Sequence, residues 1–317
     1  MTAPLVAITG ATGFLGHHIA NALAARGWRL RLLVRRMPGA DLGPSPAELI
    51  LGNLDDPEAL ETLVAGADAV VHVAGAIKAA SRAGFMAVNA EGTARLVAAR
   101  EAKAPRARLV MISSLAARAP GLSDYAASKA AGEAYLRAAP GPWSILRPSA
   151  IYGPGDRETL SVFKLARLPL QPVLNGPEAR VCLIEVSDVA TAVLAALAGH
   201  GDGGIYELSD ARKDGYRWHE IVGTACAVMG TKPRPVRIPA PVIRLAGRVG
   251  DLGAALTGSA KMLTSQKVRE VLHPDWSSAL ENQLPAAHWT SARDLKEGFE
   301  GAVHWYREAG WLPPAPG

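Results

Sequence analysis

The sequence predicts an α/β fold, a doubly wound parallel sheet with a smaller, irregular C-terminal lobe for substrate. Two observations predict it: short apolar runs alternate with helical patterns in the first half, and a glycine-rich turn joins the first run to the first helix. Such alternation is typical of parallel strands whose crossover helices cover both faces of a sheet. The apolar runs are LVAIT (5–9), RLRLLVR (29–35), ELILG (48–52), AVVHVAG (69–75), RLVMISS (108–114) and WSILRPS (143–149).

Helical patterns lie between these runs, and the pattern changes after Pro148. The helices predicted in the first half are 14–26, 56–65, 85–103 and 123–138. Beyond Pro148 the chain is turn-rich and often interrupted by proline, although helices are indicated at 186–199, 218–230 and 294–310 and a strand at 203–210. We expect a main domain over 1–157, to which 184–200 returns, and a smaller lobe made of 158–183 and 201–317.

Composition indicates an ordinary globular protein. The chain has 317 residues, of which 49% are hydrophobic and 20% charged, and no apolar run is long enough to span a bilayer. The first residues lack the charged and apolar segments of a signal peptide, and Cys182 and Cys226 have neither metal-site nor disulfide spacing, so we expect a cytoplasmic protein without a metal. The net charge of +5 fits either a solvated basic surface or an anionic ligand. No dense Lys/Arg tract with interleaved aromatics is present, so we expect no nucleic-acid partner.

The turn TGATGFLG at 9–16 follows the first predicted strand directly. Glycines allow a tight strand-to-helix turn and close approach of backbone N–H groups to a pyrophosphate, which the start of the next helix then faces. The spacing GxxGxxG differs from the GxGxxG of ordinary Rossmann dehydrogenases. The sequence therefore predicts a Rossmann-like dinucleotide site formed by Gly10, Thr12, Gly13, Phe14, Leu15 and Gly16.

The end of the second strand predicts which dinucleotide binds. In this fold an acidic residue at that point would bond the ribose 2′-hydroxyl of NAD, whereas this strand ends in Arg35 and Arg36. Guanidinium groups suit a 2′-phosphate, so we favour NADP, with NAD as the alternative if both arginines are simply exposed. After the third strand, Asn53 and Leu54 are placed to contact the adenine.

A tyrosine and a lysine four residues apart predict the chemistry. Tyr125 and Lys129 share one face of a helix, and a nearby ammonium lowers the pKa of a phenol towards neutrality. Such a pair can exchange a proton with a substrate oxygen while hydride moves to or from nicotinamide. The preceding strand ends in Ser113 and Ser114, either of which could hydrogen-bond the same oxygen.

Together, TGATGFLG, NAEGT (89–93), ISS, YAASK and RPSAIYGPGD resemble the short-chain dehydrogenase/reductase superfamily. The resemblance is to its extended or atypical branch, the epimerase/dehydratase and 3β-hydroxysteroid-dehydrogenase-like proteins, and it covers almost the whole chain. It implies a cofactor site in which the glycines bind the pyrophosphate and Arg35, with Arg36 beside it, binds the 2′-phosphate.

The same resemblance implies further roles. Ala74 and Gly75 would approach the cofactor through their backbone, and Asn89 would brace that region. Tyr125 would be the acid/base and Lys129 would hold the nicotinamide ribose. We choose Ser114 over Ser113 as the catalytic hydroxyl by position after the strand. The residues implied to line the nicotinamide are Pro148, Ser149 and Ile151.

Two departures from the branch bear on the substrate. Its nucleotide-sugar enzymes commonly have R-x-F-x-H-V-x-D-V, but here the arginine position is Val181, with Arg180 one residue early, and Glu185 replaces the histidine. Dehydratases often have an acidic pair beside the catalytic hydroxyl, where this chain has Leu115 and Ala116. The first departure argues against a nucleotide-diphosphate substrate, and the second argues against dehydration.

We therefore expect an NADP-dependent oxidoreductase that interconverts a secondary alcohol and a ketone or aldehyde by a Ser/Tyr/Lys mechanism. The alternatives are a nucleotide-sugar epimerase or dehydratase with tightly bound NAD, and a non-catalytic dinucleotide-binding regulator.

Partners are less strongly indicated. The aliphatic segment 162–174 suits an apolar small-molecule substrate, but we favour packing for it. The segment 242–256 could touch a membrane or a partner subunit, and because glycines interrupt it we do not expect membrane attachment. The resemblance implies that a homodimer could form.

Overall fold

The computed structural model describes residues 3–37, 47–173, 179–232, 234–257 and 264–314. The strands of these residues are β1 (Leu5–Thr9), β2 (Arg29–Val34), β3 (Ala47–Leu51), β4 (Ala69–His72), β5 (Arg108–Ile112), β6 (Trp143–Pro148), β7 (Ala150–Tyr152), β8 (Leu170–Val173), β9 (Arg180–Val181), β10 (Leu183–Glu185), β11 (Gly204–Leu208), β12 (Tyr216–Arg217), β13 (Arg234–Arg237) and β14 (Asp275–Trp276).

The α-helices of the same residues are α1 (Phe14–Ala25), α2 (Pro57–Val64), α3 (Arg82–Met86), α4 (Gly92–Lys103), α5 (Asp124–Ala138), α6 (Leu160–Leu165), α7 (Val186–Leu197), α8 (Trp218–Met229), α9 (Ala240–Thr257), α10 (Ser265–Val271) and α11 (Leu295–Glu308). A π-helical turn, Ala87–Glu91, joins α3 to α4, and short 3₁₀ turns cover Leu115–Arg118 and Leu280–Asn282.

The main sheet has seven strands in the order β11-β6-β5-β4-β1-β2-β3. The six strands from β3 to β6 pair in parallel, and the strand order reverses beside β1, from which the chain goes first to β2 and later to β4. This is the doubly wound Rossmann order, and ligands in such sheets bind at the carboxyl ends of the strands beside that reversal. The fold class predicted from sequence is confirmed.

The chain divides into two compact units. The first comprises Met1–Pro148, Val189–Glu207 and Leu284–Trp289, and the second comprises Ser149–Asp188, Leu208–Gln283 and Thr290–Gly317. The first unit is built on the main sheet, whose strands β1 and β4 are wholly buried, as expected for parallel strands covered on both faces.

The second unit has small sheets and its own core. Strand β7 pairs with β10, β8 with β13, and β9 with both β12 and β14. Phe163 lies in its core, edge-on to Phe299 and tilted against Tyr306, so this part of the segment 162–174 packs inside the protein. Helix α11 starts at a capping box, in which Asp294 accepts from the backbone N–H of Glu297 and the Glu297 side chain accepts from that of Asp294.

Candidate active site

The glycine loop lies between β1 and α1 at the strand reversal. Gly10 has φ +76°, and a Cβ there would lie 2.6 Å from the backbone nitrogen of Ala74. A Cβ on Gly16 would overlap the carbonyl oxygen of Gly10. Gly13 is less restricted, because its Cβ would meet only the Gly10 carbonyl oxygen, at 3.3 Å. Two of the three glycines are therefore required by the backbone packing of the loop itself.

Helix α1 begins without a side-chain cap. Gly13 is its N-cap residue, no acidic residue lies in its first turn, and Thr12 is exposed beside it. The first N–H groups of such a helix lack side-chain partners and carry the positive end of the helix dipole. Phe14 is half-buried and Leu15 is buried, so these two side chains anchor the helix, whereas Thr12 and Gly13 before it are exposed. An anionic group such as a pyrophosphate fits this end of the helix.

Arg35 and Arg36 lie directly after β2, and both are exposed. Because β1 and β2 are neighbouring parallel strands, the arginines share a sheet edge with the glycine loop. Arg31, earlier on β2, differs: its guanidinium bonds Glu48 at 2.7 Å and the carbonyl oxygen of Ala65 at 2.7 Å, so it holds the sheet edge to α2.

Asn53 and Leu54 follow β3. The Asn53 side chain is exposed, and its Oδ1 accepts from the backbone N–H of Asp55 at 2.6 Å. Leu54 is buried in the core of the first unit, where a Cβ on Gly92 would lie 2.8 Å from its Cδ1. The Leu54 side chain therefore packs inside the protein, and adenine contact by this pair remains a prediction.

Asn89 connects three parts of the site. Its Oδ1 accepts from the backbone N–H of Ala76 at 2.7 Å, while its Nδ2 donates to the Ala76 carbonyl and to Ser128 Oγ, each at 2.9 Å. Asn89 lies in the π-helical turn. Its bonds to Ala76 connect this turn to the segment after β4, and its bond to Ser128 connects it to α5. Asn89 holds the backbone after Gly75 in place, and its role beside a bound cofactor remains a prediction.

Lys129 is buried at the end of β5. Its Nζ donates to the carbonyl of Ile112 at 2.8 Å, and a Cβ on Gly75 would lie 3.4 Å from this nitrogen. Burial lowers the pKa of Lys129 to about 8, and the nearby Glu133 carboxylate raises it in part. An ammonium group is thus held next to the exposed backbone of Gly75, with Ala74 half-buried before it.

A buried histidine lies behind this arrangement. His72 Nδ1 is 2.7 Å from Thr9 Oγ1 and its Nε2 is 2.9 Å from Thr93 Oγ1. Burial lowers its pKa to about 3, with the Lys129 charge adding to the effect, so the ring is neutral at physiological pH. His72 is a core residue whose two ring nitrogens both have hydrogen-bond partners.

The two serines after β5 have different partners. Ser113 is buried and donates its hydroxyl proton to Glu133 Oε1 at 2.5 Å. Ser114 is half-buried and caps the 3₁₀ turn, its Oγ accepting from the backbone N–H of Ala116 at 3.2 Å. The bond from Ala116 uses a lone pair of Ser114 Oγ, so the hydroxyl proton of Ser114 can still be donated to another acceptor. The hydroxyl proton of Ser113 is already donated to Glu133.

The buried Glu133 pairs with the half-buried Arg147 beside Lys129. Arg147 donates to Glu133 in bidentate fashion, at 2.8 Å and 2.6 Å, and Glu133 is 3% exposed. The hydrogen bond to Glu133 raises the pKa of Arg147. The spacing of Tyr125, Lys129 and Glu133 along one helix face could have indicated Glu133, but nothing in the sequence identifies Arg147 as its partner.

Tyr125 is half-buried one turn before Lys129 on α5. Its ring packs edge-on against Phe85, with 6.0 Å between centroids, and Ser123 caps the helix by accepting from the backbone N–H of Ala126. The 3₁₀ turn headed by Ser114 packs against the same helix. One helix thus carries the phenol and the ammonium, with the serine hydroxyl on an adjoining turn.

The last predicted cofactor residues lie after β6. Pro148 is the buried final residue of β6 in the first unit, while Ser149 and Ile151 belong to the second unit. Ser149 is buried, and its backbone N–H donates to the carbonyl of Leu208 at 2.9 Å. Their contact with a nicotinamide remains a prediction.

No group of three or more metal-ligating side chains occurs among the described residues. The part of the chain that the structure describes also has no helix long and apolar enough to cross a bilayer.

Sequence comparison defines the class of protein. Residues 6–209 match the profile of the NAD dependent epimerase/dehydratase family. The chain belongs to this family and is an NAD(P)-dependent enzyme of the oxidoreductase type, with a nicotinamide dinucleotide as its cofactor.

Individual relatives are reductases. The chain is 48% identical over 315 residues to a ceramide reductase of Caulobacter vibrioides, covering 98% of this chain and 96% of that protein. It is 30% identical over 282 residues to the 4-hydroxy-2-methyl-3-oxo-4-farnesyl-3,4-dihydroquinoline-1-oxide ketoreductase of Stigmatella aurantiaca, covering 80% and 82%.

Solved structures confirm the fold. The crystal structure of gox2253 superposes with a TM-score of 0.74 at 24% identity, covering 98% of this chain and 100% of that one. MoeE5 in complex with UDP-glucose and NAD gives a TM-score of 0.73 at 19% identity, covering 97% and 99%.

Proposed function

We propose that this protein is an NADPH-dependent reductase that converts a ketone on a long-chain amide lipid of the ceramide class into a secondary alcohol. The observation that carries the proposal is the placement of Lys129, Tyr125 and Ser114 on α5 and its adjoining turn, beside the glycine-rich sheet edge. The full-length similarity to a ceramide reductase supports the substrate class.

The residues of the loop suit a dinucleotide. The surrounding backbone excludes side chains at Gly10 and Gly16, so the loop keeps the tight turn from which backbone N–H groups can reach a pyrophosphate. A bound NADPH would supply the hydride. The exposed Arg35 and Arg36, which follow the second strand where NAD enzymes of this fold have an acidic residue, favour the form that has a 2′-phosphate.

Each catalytic residue would have a separate task at the substrate oxygen. Ser114 would donate its available proton as a hydrogen bond and so orient the ketone. Tyr125 would transfer its phenolic proton to the oxygen as negative charge develops there. Lys129, fixed at the Ile112 carbonyl, would stabilise the phenolate that remains.

Chemistry selects the ketone within such a lipid. An amide carbonyl is a poor hydride acceptor because nitrogen donates electrons to it, whereas a ketone accepts hydride readily. The ketone would therefore be at the carbon that bears the secondary hydroxyl in the reduced lipid. The Stigmatella relative is also a ketoreductase, of a molecule with a farnesyl chain.

Nucleotide-sugar epimerisation is less well supported. Glu185, at the histidine position of the sugar enzymes, is buried and accepts from the backbone N–H of Ser187 at 2.8 Å. A buried carboxylate is unfavourable beside a diphosphate. The neighbours that bind UDP-sugars share only 19–20% identity with this chain, which supports the fold alone.

The test is NADPH oxidation with a long-chain keto-amide dispersed in detergent micelles. We expect turnover by the wild type and a loss of about 10²- to 10⁴-fold in Tyr125→Phe, because the proton donor is removed. Tyr135→Phe, on an exposed position of the same helix, is the matched control and should be unaffected. Equal rates for the two variants would refute the mechanism. Turnover of a UDP-sugar without net NADPH consumption would instead identify an epimerase.

A further inference from the structure

Helix α9 in the second unit exposes a continuous apolar stripe. Val242, Leu245, Val249 and Leu252 are each between 55% and 62% exposed. Their spacing of three and four residues puts them on one face of the helix, over about 15 Å of its length. Large apolar side chains exposed singly are common, but four in a row along one helix form a patch of the kind that binds something.

The opposite face of α9 is the one that holds it to the protein. Ile243 is buried, and a Cβ on Gly247 would lie 2.8 Å from Val268 Cγ2 on α10. Asp251 accepts from the backbone N–H of Ser265 at 3.0 Å, which joins the two helices again. Gly247 therefore provides close helix packing and does not interrupt the stripe. On sequence grounds the glycines of this segment argue against membrane attachment, but for Gly247 that reason does not hold.

Positive charge borders the stripe. Arg244 and Arg248 are exposed on α9, one turn apart, and Arg234 and Arg237 are exposed on β13, which leads into the helix. Asp251 is the only acidic residue in the sequence of α9, and its carboxylate already bonds α10. An apolar stripe bordered by arginines is the pattern of a helix that lies in the interface of an anionic bilayer.

We propose that the α9 stripe docks this protein on the surface of an anionic lipid bilayer, with the leucines and valines among the acyl chains and the arginines at the phosphates. A second copy of the chain is a poorer occupant. In a two-fold contact the same patch meets itself, and the arginine borders would be brought close to one another. The proposal stands on the α9 surface alone, and a lipid substrate would give the docking a purpose.

The test is flotation of the full chain with extruded vesicles, without nucleotide or ketone. One vesicle contains phosphatidylcholine alone and the other contains phosphatidylcholine with phosphatidylglycerol. We expect the wild type to float with the anionic vesicles, and Leu245→Gln/Leu252→Gln to bind about tenfold or more weakly. Leu280→Gln, which changes a 74% exposed leucine elsewhere in the second unit, should bind as the wild type does.

A separate pair of variants tests how much the arginines contribute to vesicle binding. Arg244→Gln/Arg248→Gln should weaken binding to the anionic vesicles roughly tenfold and reduce its salt dependence, whereas Arg106→Gln, on an exposed turn of the first unit, should not. Circular dichroism melts of all variants verify that the chains remain folded.

Two results would overturn the proposal: no flotation of the wild type, or equal flotation of the wild type and the double leucine variant. Sedimentation velocity tests whether a second copy of the chain covers the stripe instead. A wild type that is dimeric and does not bind vesicles, and that the leucine changes convert to a monomer, would make the stripe a subunit interface. Micellar ketone reduction is measured separately, so a failure of docking and a failure of the proposed reaction give different results.

Discussion

Replacing Lys129 by Met should make the protein more stable at neutral pH while it abolishes the proposed chemistry. The Lys129 side chain is 5% exposed, and its ammonium has the Ile112 carbonyl as a hydrogen-bond partner at 2.8 Å. Glu133, the nearest carboxylate to influence it, is already bonded by Arg147 and Ser113. Burial therefore dominates and lowers the pKa of Lys129 from 10.5 to about 8.

The size of the effect follows from linkage. Each pKa unit corresponds to about 1.4 kcal/mol, so lowering the pKa from 10.5 to about 8 costs the folded state about 3 kcal/mol when the lysine is charged. Methionine avoids this cost but loses the hydrogen bond to Ile112, a loss of about 1–2 kcal/mol. We expect Lys129→Met to raise the free energy of unfolding by about 1–2 kcal/mol at neutral pH.

The sign of the pH dependence is specific. Between about pH 8 and 10.5, Lys129 is largely deprotonated in the folded protein but still protonated in the unfolded chain. The free energy of unfolding of the wild type therefore rises with pH over this range. The advantage of Lys129→Met should therefore disappear, and reverse slightly, by about pH 10.

Urea unfolding curves of both proteins at several pH values measure the difference directly. Lys296→Met, on a 71% exposed side chain of α11, is the control and should show no such crossover. A methionine variant that is less stable at neutral pH, or an advantage that does not change with pH, would refute the reasoning.

Three further predictions concern the cofactor site and the helices. Arg35→Asp should reverse the preference for NADPH over NADH, which fluorescence titration of both cofactors measures; unchanged relative affinities would contradict the assignment. Gly16→Ala should abolish nucleotide binding and lower the free energy of unfolding by about 2 kcal/mol or more, because the added methyl group would overlap a backbone carbonyl. The control is Gly223→Ala, in open space on α8, which should raise the free energy of unfolding by about 0.5–1 kcal/mol in the same urea assay. Asp294→Ala should cost about 1 kcal/mol, because α11 loses the cap that Asp294 forms with the Glu297 N–H, and an unchanged melting curve would show that the cap is dispensable.

The first half of the fold could be predicted because its signals are local. Each strand of the main sheet is a short apolar run, and each helix has its own periodicity, so predicted and observed elements agree within a few residues. The exception is 85–103, predicted as one helix. It consists of α3, the π-helical turn and α4, and the bonds that Asn89 makes across this turn are to residues distant in sequence.

The strands of the second unit could not be predicted because they are short and pair with segments that are distant in sequence. Strand β9 has two residues, Arg180–Val181, and its parallel partner is Asp275–Trp276. Two residues have no periodicity to recognise, and nothing in either segment identifies the other. Of the site, the helix-borne Tyr125 and Lys129 were readable from their spacing, but the bond from Arg147 on β6 to Glu133 required the fold.

The pair of Glu133 and Arg147 explains how α5 can hold a cation that remains available for chemistry. Glu133 lies four residues from Lys129 and could neutralise it directly, but Arg147 and Ser113 occupy its oxygens. Lys129 donates to the Ile112 carbonyl, which fixes its position with a neutral partner and leaves its charge uncompensated by a direct ion pair. In the proposed mechanism that charge acts on Tyr125, one helical turn away. The instability caused by burying Lys129 and the reactivity expected of Tyr125 therefore have the same physical origin.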